Sequence, residues 1–138
     1  MAVGPKEAYF AYVTARHELT KIERCRIKSE KMKRYGQVIG VNADKLEEYK
    51  KLHAAAWPGV LKMIKECNIQ NYSIYYKDGL LFSYYEYVGE DYEADMAKMA
   101  ADPETQRWWD VCMPCQRPLE TRAEGEWWAT MEEVFYLE

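Results

Sequence analysis

Ile69-Gln70-Asn71-Tyr72-Ser73-Ile74-Tyr75-Tyr76-Lys77-Asp78-Gly79-Leu80-Leu81-Phe82-Ser83-Tyr84-Tyr85-Glu86-Tyr87-Val88 is the stretch on which the fold turns. Two aromatic and β-branched runs, Ile69 to Lys77 and Leu80 to Val88, flank Lys77-Asp78-Gly79. Asp-Gly supplies the positive-φ pair that a tight hairpin turn demands, and the flanking residue types favour the pleated strand. The segment therefore predicts an antiparallel hairpin. In its first strand, alternation groups Tyr72, Ile74 and Tyr76 on one face.

Upstream, Arg34 to Val41 is apolar and β-branched enough for another strand. Asn42 follows as an expected N-cap, with Asp44, Glu47 and Glu48 at the positive end of the helix dipole. The helix carries an apolar stripe at Leu46, Tyr49, His53, Val60, Leu61 and Ile64. Pro58 is expected to break it near Trp57, and Cys67-Asn68 closes it. Downstream, a second helix runs from Asp91 to Ala101. Asp102-Pro103 then restarts one, with Asp as cap and Pro at the first helical position, through Gln106, Trp108, Trp109 and Met113. Pro114 and Pro118 end it. A polar loop leads to about Glu126, and Trp127 to Leu137 is the predicted last strand, with Met131, Val134 and Tyr136 as its apolar set.

The resulting order is βαββαβ, the split βαβ of a ferredoxin-like α+β fold, with an antiparallel four-stranded sheet and both helices on one face. A sheet face lined by Tyr and Trp and left bare needs cover. A second copy of the same sheet is the simplest one, so a homodimer of the dimeric α+β barrel type is expected. Residues 33–138 form the predicted domain. Residues 1–32 read as a leader, helical or disordered, because they have no strand character and only a loose helical period.

The 138 residues match one domain, and 49% hydrophobic content is enough for a core without disulfide or metal staples. No apolar run approaches the ~20 residues of a membrane span, and Tyr9 to Val13 is too short for a signal-peptide core. A cytoplasmic, soluble protein without membrane attachment is expected. Met1 to Arg34 holds nine basic and four acidic residues, whereas the remainder is acidic and the net charge is −4. An acidic body argues against a nucleic-acid partner. Cys112 and Cys115 form a Cys-x-x-Cys, but no second pair or paired His completes a zinc set, so free thiols and no metal are expected. Phosphate loops and nucleophile motifs are absent, so any chemistry is expected to need no cofactor.

Aromatic usage stands out: 5 Trp and 12 Tyr against 3 Phe. Tyr and Trp join an apolar body to a polar handle, which suits half-wet sugar pockets and protein interfaces alike. His53 is the one histidine after residue 33. Tyr49, four residues earlier, projects from the same helical face. Imidazole titrates near neutrality and is the natural general acid/base, although a lone histidine also serves as an ordinary surface or core residue. Rings at the adjacent positions Trp108 and Trp109 point about 100° apart on a helix. One is expected to face the core and the other to line a cavity, with packing by both as the alternative. Tyr72 is either a pocket phenol or a packing residue.

Several motifs in order carry a family resemblance: Glu48-Tyr49 then His53, followed by Trp57-Pro58; Asn71-Tyr72-Ser73-Ile74-Tyr75; Gln106-Arg107-Trp108-Trp109; and Glu133-Val134-Phe135-Tyr136-Leu137. Over about Arg34 to Leu137 the chain resembles the L-rhamnose mutarotases. The resemblance implies a dimeric ferredoxin-like enzyme that interconverts the α and β anomers of L-rhamnose. It also implies His53 as proton donor, with Tyr49, Tyr72, Trp108 and Trp109 binding the sugar. The chain departs from the family pattern after Met113-Pro114, where Cys115-Gln116-Arg117-Pro118 opens a loop rich in Arg and Glu. That loop bears on which sugar is taken. Two further readings compete: another cofactor-free enzyme of the same fold, such as a small monooxygenase, and a non-catalytic sugar-binding module in which His53 is a bystander. The second proton-transfer group is Tyr49, Tyr72 or water.

Overall fold

The computed structural model describes residues 32–138 together with Glu23. The predicted leader, residues 1–32, thus lies almost wholly outside the described residues. Strand β1 (Lys33–Val41) is followed by a short 3-10 turn at Ala43–Lys45 and by two helices, α1 (Leu46–Ala54) and α2 (Pro58–Glu66). The hairpin strands β2 (Ile69–Lys77) and β3 (Leu80–Tyr87) come next, then helices α3 (Tyr92–Ala101) and α4 (Pro103–Cys112). Two short strands close the chain, β4 (Gln116–Arg117) and β5 (Ala129–Met131).

The sheet is antiparallel throughout, in the order β2-β3-β1-β4, with β5 also on β1. β4 pairs with Gly40 and Val41, and β5 pairs with Gly36 to Val38, so two fragments share the fourth position of the ferredoxin-like sheet. The hairpin forms as its sequence requires, with Asp78 at φ 50° and Gly79 at φ 80°. Helix starts are chemically marked: Asp91 accepts from the Ala94 amide, and Asp102 accepts from the amide and the hydroxyl of Thr105. None of the described helices is long and apolar enough to cross a membrane.

Inward residues of β1, β2 and β3 pack with the helices in two groups. Ile39, Val41 and Leu81 meet Tyr49, Val60, Trp108, Cys112 and Cys115; Ile69, Tyr85 and Tyr87 meet Tyr35, Tyr92, Met96 and Met99. The gap between these groups is the cavity described below.

Three local expectations are corrected. Asn42 does not cap: its side chain makes no cap bond, and its amide Nδ2 donates instead to the Pro114 carbonyl. Leu61 leaves the apolar stripe and is half exposed. The Pro58 break restarts the helical phase, so Val60 and Ile64 turn inward and Leu61, about 100° round from Val60, turns out. The last strand is only Ala129–Met131 rather than Trp127 to Leu137. Trp127 and Trp128 turn into the cavity, and beyond Met131 the chain is held by side chains: Arg34 makes a bidentate pair with Glu133 and lies over the Tyr136 ring. The exposed Val134 and Phe135 are therefore not core.

Candidate active site

The cavity is about 350 Å³, a size suited to a small ligand, and opens between the helices and the inward face of the sheet. α1 contributes Tyr49 and His53, β2 contributes Tyr72, and α4 contributes Trp108 and Trp109; all five predicted site residues line it. Spacing brings the first two together, since residues four apart on a helix stack on one face. Their rings lie 4.0 Å apart at 29°. His53 is also edge-on to Trp108 at 5.1 Å, and Trp108 in turn meets Trp57 at 5.3 Å.

The expected split of the tryptophan pair holds only in part. Trp108 is 8% exposed and belongs to the core, yet it reaches the cavity too; Trp109 is 37% exposed and lines the cavity mouth.

Tyr72 owes its direction to a β-bulge. Gln70 pairs with Glu86 and Ser73 with Tyr84, so β2 holds one residue more than β3 over this span, and Asn71 takes φ 49°. Gln70 and Asn71 both donate to Glu86 Oε1, at 3.1 and 2.7 Å, while the Tyr84 hydroxyl donates to Glu86 Oε2 at 2.7 Å. With the extra residue clamped outward, Ile69, Tyr72 and Ile74 all point inward and line the cavity. Tyr85 crosses under the Tyr72 ring at 5.5 Å.

The electrostatics are legible at each group. His53 Nδ1 lies 2.8 Å from the backbone carbonyl of Tyr49. A carbonyl can only accept, so Nδ1 carries the proton and Nε2 keeps its lone pair. Burial holds the imidazole pKa below its ordinary value, against the opposing pull of that carbonyl. Burial likewise raises the pKa of the Tyr49 hydroxyl, and it pushes Tyr72 up to about 12 even though the residue as a whole is half exposed. Near neutral pH the site thus offers one neutral base and two protonated phenols. Cys112 lines the cavity as a thiol, with burial pushing its pKa up to about 12. Among the described residues, no three His, Cys, Asp or Glu side chains converge as a metal site.

Among the lining residues that the sequence reading did not place in the site are Gln37, Gln116, Trp127 and Trp128. Trp127-Trp128 repeats the adjacent-aromatic signal of Trp108-Trp109 and was detectable on that ground. The two glutamines carry no local signal. Gln116 stands at the end of the cavity, where Trp127 Nε1 donates to its Oε1 at 2.8 Å and its Nε2 donates to the Tyr49 hydroxyl at 3.3 Å.

Comparison with known proteins bears on this arrangement. A sequence model of the L-rhamnose mutarotase family matches residues 34–137. The L-rhamnose mutarotase of Bacillus subtilis (strain 168) is 34% identical over 110 residues, covering 78% of this chain and all of the relative. That of Oceanobacillus iheyensis is 32% identical with the same coverage. Among solved structures, an L-rhamnose mutarotase from Formosa agariphila aligns with a TM-score of 0.60 at 23% identity, covering 77% of this chain and 99% of its own. Tetracenomycin F2 cyclase from Streptomyces glaucescens aligns equally well at 11% identity, covering 77% and 97%, a likeness of fold alone. Since the family match runs from β1 to the C-terminal segment and takes in every element that lines the cavity, this chain belongs to the L-rhamnose mutarotase family.

Proposed function

We propose that the chain is an isomerase that interconverts the α and β anomers of free L-rhamnose by acid/base ring opening inside this cavity. One observation carries the chemistry: a neutral His53 whose Nδ1 proton is committed to the Tyr49 carbonyl, leaving Nε2 as the available base among Tyr and Trp walls. Nε2 takes the proton of the anomeric hydroxyl as the C1–O5 ring bond breaks. A phenol, Tyr49 or Tyr72, delivers a proton to the ring oxygen O5. The open-chain aldehyde turns about C1–C2, and the same groups run the steps backwards on its other face, His53 returning its proton to the new anomeric oxygen. Each positioned transfer contributes about 10²–10⁴-fold. Trp108 and Trp109 give the C–H faces of the sugar a stacking wall, and the hydroxyls of Tyr49 and Tyr72 orient its polar edge.

Anomeric exchange of L-rhamnose, followed by proton NMR saturation transfer with catalytic protein, tests the reading. The wild type should accelerate exchange, and His53→Ala should lose at least a hundredfold, within the range of one general acid/base. An unaltered rate in the variant would remove His53 from the mechanism.

The working form we propose is a homodimer closed over the outer sheet face. By alternation that face presents Val38, Phe82, Tyr75 and Tyr84, opposite the helices. All five tryptophans, by contrast, lie on the helix-covered side. Among the described residues, Cys67, Cys112 and Cys115 are free thiols, which suits a reducing compartment such as the cytoplasm.

A further inference from the structure

We propose that Gln116 is a positioning residue that sets the direction of the Tyr49 hydroxyl, so that this phenol offers the ligand its proton and not its lone pair. The inference rests on the mutarotase reading and selects Tyr49 as the partner that His53 lacks. It follows from counting donors along a three-member chain. An indole N–H can only donate, so the group of Gln116 that lies 2.8 Å from Trp127 Nε1 must be the carbonyl oxygen. That assignment fixes the amide and leaves its NH₂ toward Tyr49, 3.3 Å from the phenolic oxygen. The oxygen accepts there. A phenolic hydrogen lies near the ring plane, and the amide occupies one of its two directions. Tyr49 makes no other side-chain hydrogen bond among the described residues, so its hydrogen is directed to the remaining side, toward the cavity that Tyr49 lines. Burial keeps this phenol protonated across the neutral range.

The three residues belong to three distant parts of the chain: α1, the start of β4, and the segment just before β5. Gln116 lies where this sequence departs from the family pattern. The loop after Met113-Pro114 therefore does more than shape the cavity; through Gln116 it decides the polarity of a hydrogen bond at the opposite wall. A ligand acceptor, the ring oxygen of a pyranose, meets a donor there.

Two variants separate polarity from mere packing. Gln116→Glu keeps the shape and accepts from both Trp127 and Tyr49, which turns the Tyr49 lone pair to the ligand. Gln116→Leu frees the hydroxyl to rotate. In saturation-transfer measurements with L-rhamnose, Gln116→Glu should lower kcat on the order of 10²-fold, the lower range for a positioned proton donor. Gln116→Leu should lower it less, although it is the more disruptive change. As pH falls, the ratio of Gln116→Glu to wild-type activity should recover, because a protonated carboxyl donates to Tyr49 again. The titratable groups around Tyr49, namely His53, Tyr72, Cys112 and Cys115, are present in wild type and both variants, so Gln116→Leu, which adds no carboxyl, should show no such recovery. The Trp127 indole N–H resonance, assigned with Trp127→Phe, should move downfield in Gln116→Glu, where a carboxylate strengthens the bond, and upfield in Gln116→Leu, where the bond is lost. Wild-type kcat in Gln116→Glu, or an indole resonance indifferent to Gln116→Leu, overturns the proposal. Absence of exchange with the wild type would instead bring down the mutarotase reading, while the indole shift still decides whether the hydrogen-bonded chain exists.

Discussion

At the scale of single residues, the site works by keeping charges out. His53 is buried enough that its imidazolium is disfavoured, and the carbonyl that holds Nδ1 recovers only part of that cost. A lowered pKa means that the neutral, proton-accepting form persists further into acid than it would for an exposed histidine. We therefore expect kcat/KM for anomeric exchange to be level above neutrality and to fall in acid with a midpoint below 6.5, the ordinary histidine value. A pH profile with its midpoint above that value would mean that the ring is stabilised as a cation. The same spacing argument that paired Tyr49 with His53 in the sequence is realised by a stack at 4.0 Å, because i and i+4 share a helical face whatever the rest of the fold does.

At the scale of elements, two irregularities build the site. The β2 bulge is the first. Strict alternation from the buried Ile69 would put Asn71, Ser73 and Tyr75 inward, and a one-residue slip exchanges the two faces of a strand. The extra residue at Asn71, clamped by Glu86, restores Tyr72 and Ile74 to the cavity. The second is the two-residue strand β4, which delivers Gln116 and lies tight against Gly40. A Cβ on Gly40 would approach the Arg117 carbonyl oxygen to 2.6 Å. Backbone cannot swing aside as a side chain can, so Gly40→Ala should destabilise the protein by about 1–3 kcal/mol, as overpacking does. Urea denaturation would show this as a lower midpoint, and mutarotase activity should fall with it because Gln116 shifts. An unmoved midpoint would show that β4 is not held by this contact.

At the scale of the whole domain, four helices cover one face of the sheet, and among the described residues nothing covers the other. The bare face is half apolar rather than uniformly so: Arg34, Glu86 and Glu133 lie among Phe82, Tyr84 and Tyr136, and several of them are already paired. That mixture suits an interface between folded copies better than a core. Sedimentation equilibrium at micromolar protein should give twice the 16.3 kDa chain mass. Phe82→Asp, which buries a charge only if the face is covered, should give the single chain. A monomeric wild type, or a dimeric variant, would place the contact elsewhere or nowhere.

Local chemistry written in neighbouring residues determined the hairpin with its Asp78-Gly79 turn, the Asp91 and Asp102 caps, the break at Pro58, and the Tyr49–His53 pair, since each depends on groups a few positions apart. The order of elements followed from these, and with it the ferredoxin-like class. Only the tertiary structure decided which side of each irregular segment faces inward. Leu61 faces outward because Pro58 resets the helical period that would otherwise carry it inward. The strand expected over Trp127 to Leu137 gave way to three residues. Trp127 and Trp128 turn into the cavity, where the Trp127 indole donates to Gln116, and beyond Met131 the side chain of Arg34 holds Glu133 and Tyr136. Gln116 had no signal at all: its role comes from two partners 67 and 11 positions away, and no local pattern encodes a hydrogen bond whose direction is fixed by a donor that distant.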